Sequence, residues 1–476
     1  MRVKPKPPFG RAPAVLAVSL LLTACATMGP DYERPSLQTP EAYRTEAVTA
    51  RYTVNLRWWE MFKDPVLYEL VAAALENNRD LGIAAARIEE ARAALGFTRA
   101  DQYPRLDIDA GAGTGNFAGG SRSDEEITNL YIAPTARWEI DFWGKFRRGT
   151  EAARAELLSS EYAMKTVQLS LVSEVAAAYY QLLDFHQRRV IAERTLASRV
   201  QSLDIIEQRF EKGIIPEIDL NQAQIQKEIA AGAIPLYRRQ IAQTENALSI
   251  LVGRLPAAVA VGHGLAEQPL PPDIPMGLPS EILQRRPDVA EAEALLHAQT
   301  ARIGVATALR FPAVSLTGIL GVASTEVGSV TSDGGAWFVG GSLFGPIFDF
   351  EKSAQRVAIE EARTLQAMLR YENTVLSAFR EVEDALVQVE TYKDQVEAAA
   401  RKLTAARNAN ELSTDRYDKG FTSYLEVLEA DRTLFSVELE RSELDQQMFR
   451  AYIQLYKALG GGWLTREERE STDVTR

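Results

Sequence analysis

The chain has 476 residues, of which 46% are hydrophobic and 25% are charged, and this balance excludes an intrinsically disordered protein. A formal net charge of −12 leaves no basic face to neutralise phosphates, which argues against nucleic acid as a partner. The length predicts more than one folded unit.

The first residues combine basic side chains, a short apolar run and the one cysteine of the sequence. Basic residues precede an apolar run at 12–22, which is too short for a spanning helix and predicts a signal peptide over residues 1–24. Leu22-Thr23-Ala24-Cys25 resembles a lipobox, in which the cysteine is acylated and becomes the new N-terminus. In bacterial lipoproteins, aspartate after the cysteine tends to hold the protein at the inner membrane, so the resemblance, with Ala26 at this position, implies the outer membrane. An ordinary signal peptide cleaved nearby, which leaves a free thiol at Cys25, is the alternative.

An extended arm and a broken helix follow the leader. Residues 25–57 contain prolines and show no periodic pattern, which predicts an extended arm with an acylated start. Asp64 before Pro65 predicts a helix start, and a helix over about 65–98 is expected to be interrupted at 77–80.

Segments that alternate between apolar and polar residues predict four strands, at about 103–116, 128–142, 311–324 and 336–348. In the first, Leu106, Ile108 and Ala110 share one apolar face, and a loop rich in glycine, serine and acid is expected at 119–126. Aromatic residues lie near the strand ends, as membrane interfaces require: Tyr103, Trp138, Trp143, Phe311, Trp337 and Phe348.

Four strands are too few to close a membrane β-barrel, whose smallest known form has about eight. The strands therefore predict an oligomer. Two copies would supply about eight strands around an interior filled by side chains, whereas three would supply about twelve around an open lumen. A soluble four-stranded sheet is the alternative.

Long helices follow each strand pair. Helices are predicted at about 145–212, 216–253, 287–309, 351–419 and 423–460. The two longest have about 68 residues each, which corresponds to roughly 100 Å. Val375, Val382 and Val389 keep the seven-residue repeat of a coiled coil.

The sequence motif between a long and a short predicted helix occurs twice, about 207 residues apart. Arg209-Phe210-Glu211-Lys212-Gly213 precedes Pro216, and Arg416-Tyr417-Asp418-Lys419-Gly420 precedes Ser423. Gly213 and Gly420 are expected to end helices in the left-handed conformation. Ser423 followed by Glu426 three residues later predicts a capping box.

The repeated elements divide the chain into segments. These are a first repeat at 58–265, a proline-rich connecting belt at 266–279, a second repeat at 280–463 and a charged tail at 464–476.

Catalytic motifs are missing from the sequence. The three histidines, His186, His263 and His297, do not form an HExxH motif, and one cysteine cannot form a zinc-binding pair. No nucleophile elbow or phosphate-binding loop is present. We therefore expect a protein that is not an enzyme, with no metal or cofactor apart from the lipid on Cys25.

Together with the lipobox, five motifs resemble the TolC superfamily, and more narrowly its outer membrane efflux lipoproteins of the OprM and NodT type. They are Gly29-Pro30-Asp31-Tyr32-Glu33-Arg34-Pro35, Trp138-Glu139-Ile140-Asp141-Phe142-Trp143-Gly144-Lys145, Arg285-Arg286-Pro287-Asp288-Val289, Gly345-Pro346-Ile347-Phe348-Asp349 and Ala458-Leu459-Gly460-Gly461-Gly462-Trp463. The resemblance implies an all-α fold combined with a membrane β-barrel, in which two tandem repeats each give two strands and long coiled-coil helices. Three chains would form a 12-stranded barrel that an α-helical barrel continues into the periplasm.

The resemblance also implies partners. A homotrimer in outer membrane lipids would be the exit duct of a tripartite pump, joined by a periplasmic adaptor protein to an inner membrane transporter of the RND type. It would conduct drugs or other small toxic compounds passively. A duct for protein or peptide secretion is the alternative within transport, and a structural coiled-coil lipoprotein is the alternative from another class.

In the family, acidic rings and a tyrosine network close the periplasmic end. Alignment on the two turn glycines assigns these roles to Asp219, Tyr417, Glu426 and Glu429. Some members have aspartates at the two glutamates and a basic residue at Thr422, so the locking contacts differ here. A cap for Glu426, and solvated acids near a helix start for the other two carboxylates, are the structural alternatives.

Overall fold

The computed structural model describes residues 27–37, 40, 43, 58–118, 121–271, 285–324 and 335–461. The signal peptide, Cys25, most of the connecting belt and the tail predicted at 464–476 lie outside these residues.

Seven α-helices and four β-strands occur in the described part of the chain. In order they are α1 (Pro65–Asn77), α2 (Arg79–Ala100), β1 (Arg105–Ala118), β2 (Ser121–Ile140), α3 (Lys145–Glu211), α4 (Glu217–Leu251), α5 (Pro287–Ala308), β3 (Ala313–Ser324), β4 (Gly335–Phe344), α6 (Lys352–Asp418) and α7 (Tyr424–Ala458). No described helix combines the length and the hydrophobicity that crossing a membrane requires.

The helices repeat with a constant offset. α3 and α6 each have 67 residues, and α4 and α7 each have 35. Lys145 and Lys352 begin the longer pair, and Glu217 and Tyr424 begin the shorter pair, so each pair of helices starts 207 residues apart. Equal lengths at an equal offset identify an internal duplication of the strand pair and helical hairpin.

α1 and α2 are separate helices because the side chain of Asn78 replaces a helical hydrogen bond at the break. Its Oδ1 accepts from the backbone N–H of Leu81 at 3.1 Å, and its Nδ2 donates to the carbonyl of Leu251 at 2.9 Å. Asp64 caps α1 by accepting from the N–H of Val66 at 2.8 Å. Capping of this kind satisfies N–H groups that the first helical turn leaves free.

The strands form one antiparallel sheet in the order β1-β2-β3-β4. β2 begins at Ser121, inside the segment expected as a loop, because Ser121 pairs with Ala118 and Arg122 with Phe117. The strand order gives β1 and β4 only one neighbour each among the described strands, so each leaves one edge free.

The two faces of the sheet differ in polarity. The row Leu106, Ala136, Gly318 and Val339 crosses all four strands on one face, with Leu106 79% exposed. The neighbouring row on the opposite face includes Asp107, which pairs with Arg105 at 2.7 Å. The exposed apolar face agrees with the alternation of the sequence.

The described chain separates into two compact units. The first consists of residues up to 36, residues 87–161 and residues 291–372, and the second contains the remainder. In the second unit, five aromatic side chains pack together with centroid distances of 4.3–6.3 Å: Trp58, Phe62, Tyr180, Phe449 and Tyr456. Burial of each such side chain stabilises the fold by about 1.5–3 kcal/mol.

In the first unit, the arm is fastened by the buried guanidinium of Arg148. Its Nε donates to the carbonyl of Met28 at 3.0 Å, and its Nη2 donates to Asp31 at 2.7 Å. Tyr32 stacks on His297 with a centroid distance of 4.6 Å. The arm motif therefore binds to helices that are distant in sequence.

One difference between the two short hairpin helices affects backbone hydrogen bonding. α4 contains Pro235, whereas the residue 207 positions later in α7 is Ser442. Proline has no N–H to donate and its ring crowds the preceding turn. Ser442 donates a hydrogen bond of 2.6 Å to the buried carboxylate of Asp184.

Candidate gate at the helix turns

The two helix turns have the same backbone conformation. Gly213 and Gly420 have φ values of +70° and +76°. The N–H of Ile214 donates to the carbonyl of Arg209 at 2.9 Å, and the N–H of Phe421 donates to the carbonyl of Arg416 at 2.8 Å. These contacts satisfy carbonyls at the helix end and require a left-handed residue, which glycine adopts without steric cost.

A small hydrophobic cluster packs the two hairpins together near these turns. Its buried members are Leu203, Ile206, Ala223, Tyr424 and Leu428, and Ile215, Leu220, Tyr417 and Val427 pack against it. The cluster therefore contains residues from both copies of the turn.

An ion pair also connects the two copies. Arg209 Nη2 lies 3.2 Å from Asp418 Oδ1, and the Arg209 guanidinium lies 4.8 Å from the centre of the Tyr417 ring. Tyr417 in turn contacts Tyr424, with a centroid distance of 5.6 Å. Stacking of a guanidinium on an aromatic ring adds a cation–π attraction to the ion pair.

Glu426 is bound by the second turn itself. Arg416 Nε lies 3.2 Å from Glu426 Oε1, and Thr422 Oγ1 donates to Glu426 Oε2. Ser423 is the N-cap residue of α7, but its side chain makes no capping hydrogen bond. The predicted capping box is therefore wrong, because a guanidinium and a hydroxyl bind the carboxylate that the cap requires.

The side chains of Asp219 and Glu429 form no hydrogen bond or ion pair with any residue that the structure describes. Asp219 lies partly exposed in the first turn of α4, and Glu429 is exposed on α7. Burial raises the pKa of Tyr424 to about 12, with smaller contributions from nearby Asp431, Tyr417 and Asp219. The structure thus places Tyr417 in contact with Tyr424 and Glu426 in contact with Arg416, whereas Asp219 interacts with Tyr424 only through its charge.

A charged cluster on the same helices was not predicted from the sequence. Arg199 Nε donates to Asp431 Oδ2 at 2.8 Å, and its Nη1 donates to the carbonyl of Gln226 at 2.7 Å. Burial raises the pKa of Asp431, and the adjacent guanidinium opposes this increase. Arg199, Leu203 and Ile206 have helical spacing on one buried stripe, so a charge in an apolar stripe was the available signal.

Farther along α7, Glu438 lies between two arginines. Its side chain is 7% exposed, it pairs with Arg194 of α3, and it lies 3.4 Å from Arg407 of α6. Within the described ranges, no group of three or more histidine, cysteine or acidic residues is arranged to hold a metal ion. The charged groups near the turns form ion pairs between helices, which agrees with a role in holding the helices together.

Two strand pairs and two helical hairpins, joined in tandem and bearing an arm that binds back to the helices, define an outer membrane factor of the TolC type. The chain belongs to the outer membrane efflux protein family, whose model matches residues 70–254 and 278–461. The two matched segments correspond to the two repeats of the structure.

Individual relatives agree along nearly the whole chain. The cation efflux system protein CusC of Escherichia coli O6:H1 is 34% identical over 455 residues, which cover 94% of this chain and 97% of that protein. The solvent efflux pump outer membrane protein SrpC of Pseudomonas putida is 35% identical over 464 residues, covering 93% and 97%. The solved outer membrane channel OprN superposes with a TM-score of 0.86 at 30% identity, covering 92% of this chain and all of the other.

The protein is therefore an outer membrane efflux duct that extends into the periplasm. It works as one component of an efflux system, and its relatives are channel proteins rather than enzymes. The repeated hairpin turns are one part of this duct in which charged side chains from both copies meet.

Proposed function

We propose that three copies of this chain form the exit duct of a tripartite pump for drugs or other small toxic compounds. The duct would conduct passively and would be joined by a periplasmic adaptor to an inner membrane transporter of the RND type. The main support is the four-stranded sheet, in which β1 and β4 each have one edge that no other described strand of the chain covers. Free edges expose unpaired N–H and C=O groups, which the edges of neighbouring copies can satisfy.

The exposed apolar face supports a membrane position for this sheet. Ile108 is 68% exposed and Leu320 is 71% exposed, although both are large apolar side chains. Such a continuous apolar surface is unfavourable in water and favourable against lipid. Twelve strands from three copies would surround a lumen wide enough for small molecules.

The gate of the proposed duct comprises Asp219, Tyr417, Glu426 and Glu429. Glu426 is bound by Arg416 at 3.2 Å, and the Tyr417 ring is covered by the Arg209 guanidinium. Two of the four gate residues therefore contact arginines of the turns. In a threefold assembly each carboxylate becomes a ring of like charges, which attracts cations and repels anions. Gly213 and Gly420 would form the periplasmic tip beside this ring.

The substrate class is proposed to be set by the transporter and not by the duct. The relatives named for cations and for solvents are 34% and 35% identical to this chain. Nearly equal similarity to ducts of such different pumps supports a lumen that discriminates little. Acylation of Cys25 would add the lipid anchor.

Three measurements test the proposal. The purified full-length protein should migrate as a trimer on unheated gels and form pores in planar bilayers. A strain that lacks the protein should become more susceptible to small toxic compounds and should recover with the wild-type gene. Palmitate labelling should be lost in Cys25→Ser. A monomer without conductance, or unchanged susceptibility, would contradict the duct.

A further inference from the structure

The contact between the two turn copies has a direction. Arg209 of the first copy reaches the ring of Tyr417 and the carboxylate of Asp418 in the second copy. The first copy therefore contributes a guanidinium group, and the second copy binds this group with an aromatic ring and a carboxylate. This contact is heterologous because the two copies use different residues.

Each copy nevertheless contains both halves of the contact. Arg209-Phe210-Glu211 and Arg416-Tyr417-Asp418 have the same order of cation, aromatic ring and carboxylate, and the two turns have matching backbone geometry. The receiving half of the first copy is accessible, since Phe210 is 36% exposed and Glu211 is exposed. Within the described residues, Glu211 has no ion pair.

In the second copy, the corresponding arginine, Arg416, makes a different contact. The Arg416 side chain is 56% exposed, and its Nε lies 3.2 Å from Glu426 within the same chain. When a heterologous contact is repeated from one chain to the next, the chains close into a ring once the last chain contacts the first. In a ring of several chains, the second turn of one chain lies next to the first turn of another.

We infer that Phe210 and Glu211 form a binding site for Arg416 of a neighbouring copy of this chain, and that Glu426 competes with this site for the arginine. The inference rests on the proposed oligomeric duct. Arg416 then has two alternatives, an intrachain contact with Glu426 and an interchain contact with Glu211 that repeats the observed Arg209 contact. Exchange between the two links the acidic residue of the gate to the contact between subunits.

Cysteine cross-linking tests the interchain site in membranes that contain the full-length protein. After treatment with a short homobifunctional maleimide, which adds to both thiols without an oxidant and spans the length of the replaced arginine, Glu211→Cys combined with Arg416→Cys should give covalent dimers and trimers on heated, reducing gels. The matched pair Arg209→Cys with Asp418→Cys should link within one chain and give no such ladder. Each single variant controls for reaction with Cys25. A trimer on unheated gels without interchain cross-links would overturn this inference and leave the proposed duct intact, whereas absence of a trimer would contradict both.

Channel recordings test the competition by Glu426. Glu426→Ala should increase mean conductance because it releases Arg416. Adding Glu211→Gln should remove about half or more of that increase, because residues that share a partner have non-additive effects. Glu207→Gln, an exposed acid one turn earlier on α3, is the matched control and should leave the increase unchanged. Equal increases with and without Glu211→Gln would overturn the competition.

Discussion

Arg199 of α3 and Asp431 of α7 form an ion pair of 2.8 Å in which the arginine side chain is 5% exposed and the aspartate side chain is 25% exposed. The guanidinium also lies 5.0 Å from the centre of the Phe435 ring. This pair connects a helix of the first repeat to a helix of the second.

We predict that Arg199→Ala destabilises the protein by about 3 kcal/mol. This is the lower end of the range for breaking a buried pair, because Asp431 keeps some contact with water. Denaturant unfolding of the purified protein measures the effect. Adding Asp431→Asn should recover part of the loss, since it removes the unpaired charge, and a double variant as unstable as the single one would contradict this explanation.

Asp184 is expected to make part of the unfolding free energy depend on pH. Burial raises its pKa, although Arg188 at 2.8 Å and the Ser442 hydroxyl oppose the change. A carboxyl group whose pKa is higher in the folded than in the unfolded state binds its proton more tightly when folded. Its contribution to the unfolding free energy therefore increases as pH falls through the folded pKa toward the ordinary value near 4.

Asp184→Asn should remove this component. We expect the slope of unfolding free energy against pH between about 7 and 4 to become more positive in the variant, because the acid-side gain is lost. Parallel unfolding curves at several pH values measure the slope. Glu207→Gln on the exposed side of the same helix is the control, and an identical slope in the Asn variant and the wild type would contradict the assignment.

The gate assignment predicts leakage when both glutamates are removed. Glu426→Ala combined with Glu429→Ala should increase single-channel conductance or antibiotic entry, because Arg416 loses its partner and a ring of charge disappears. Planar bilayer recordings measure the change, with Glu207→Ala as the control. Unchanged conductance in an intact trimer would disprove the roles of both residues.

Glycine substitutions should have opposite effects at two places. Gly213→Ala should destabilise by about 1–2 kcal/mol, since φ is +70° and nothing lies within 4 Å of an added Cβ, so the cost is conformational. Gly232→Ala, inside α4 and also without a neighbour within 4 Å, should stabilise by about 0.5–1 kcal/mol. Thermal unfolding of the two variants compares the signs, and the same sign for both would contradict the prediction.

Features set by periodicity were predictable from the sequence. The apolar alternation at Leu106 and Ile108 predicted the exposed face of the sheet, and the turn glycines predicted the positions of the helix ends. These features depend on residues close in sequence, or on a pattern that one face must satisfy. The internal duplication was equally visible because it repeats at a constant offset.

Features set by distant partners were not predictable. Ser423 and Glu426 have the spacing of a capping box, but Arg416 and Thr422 bind the carboxylate in the folded chain. The start of β2 at Ser121 depends on pairing with β1, which the polar composition of this segment does not indicate. Local patterns show what a residue is able to do, and tertiary contacts decide which of several options it takes.

The difference between Pro235 in α4 and Ser442 in α7 has an evolutionary consequence. The proline removes a backbone donor, whereas the serine binds Asp184, a residue of the first repeat. After a gene duplication, each half is free to change as long as the other half supplies what was lost. Because α7 contacts an acid of the first repeat, and Thr391 stands at the position of the second repeat that corresponds to Asp184, the two halves are no longer interchangeable at this contact.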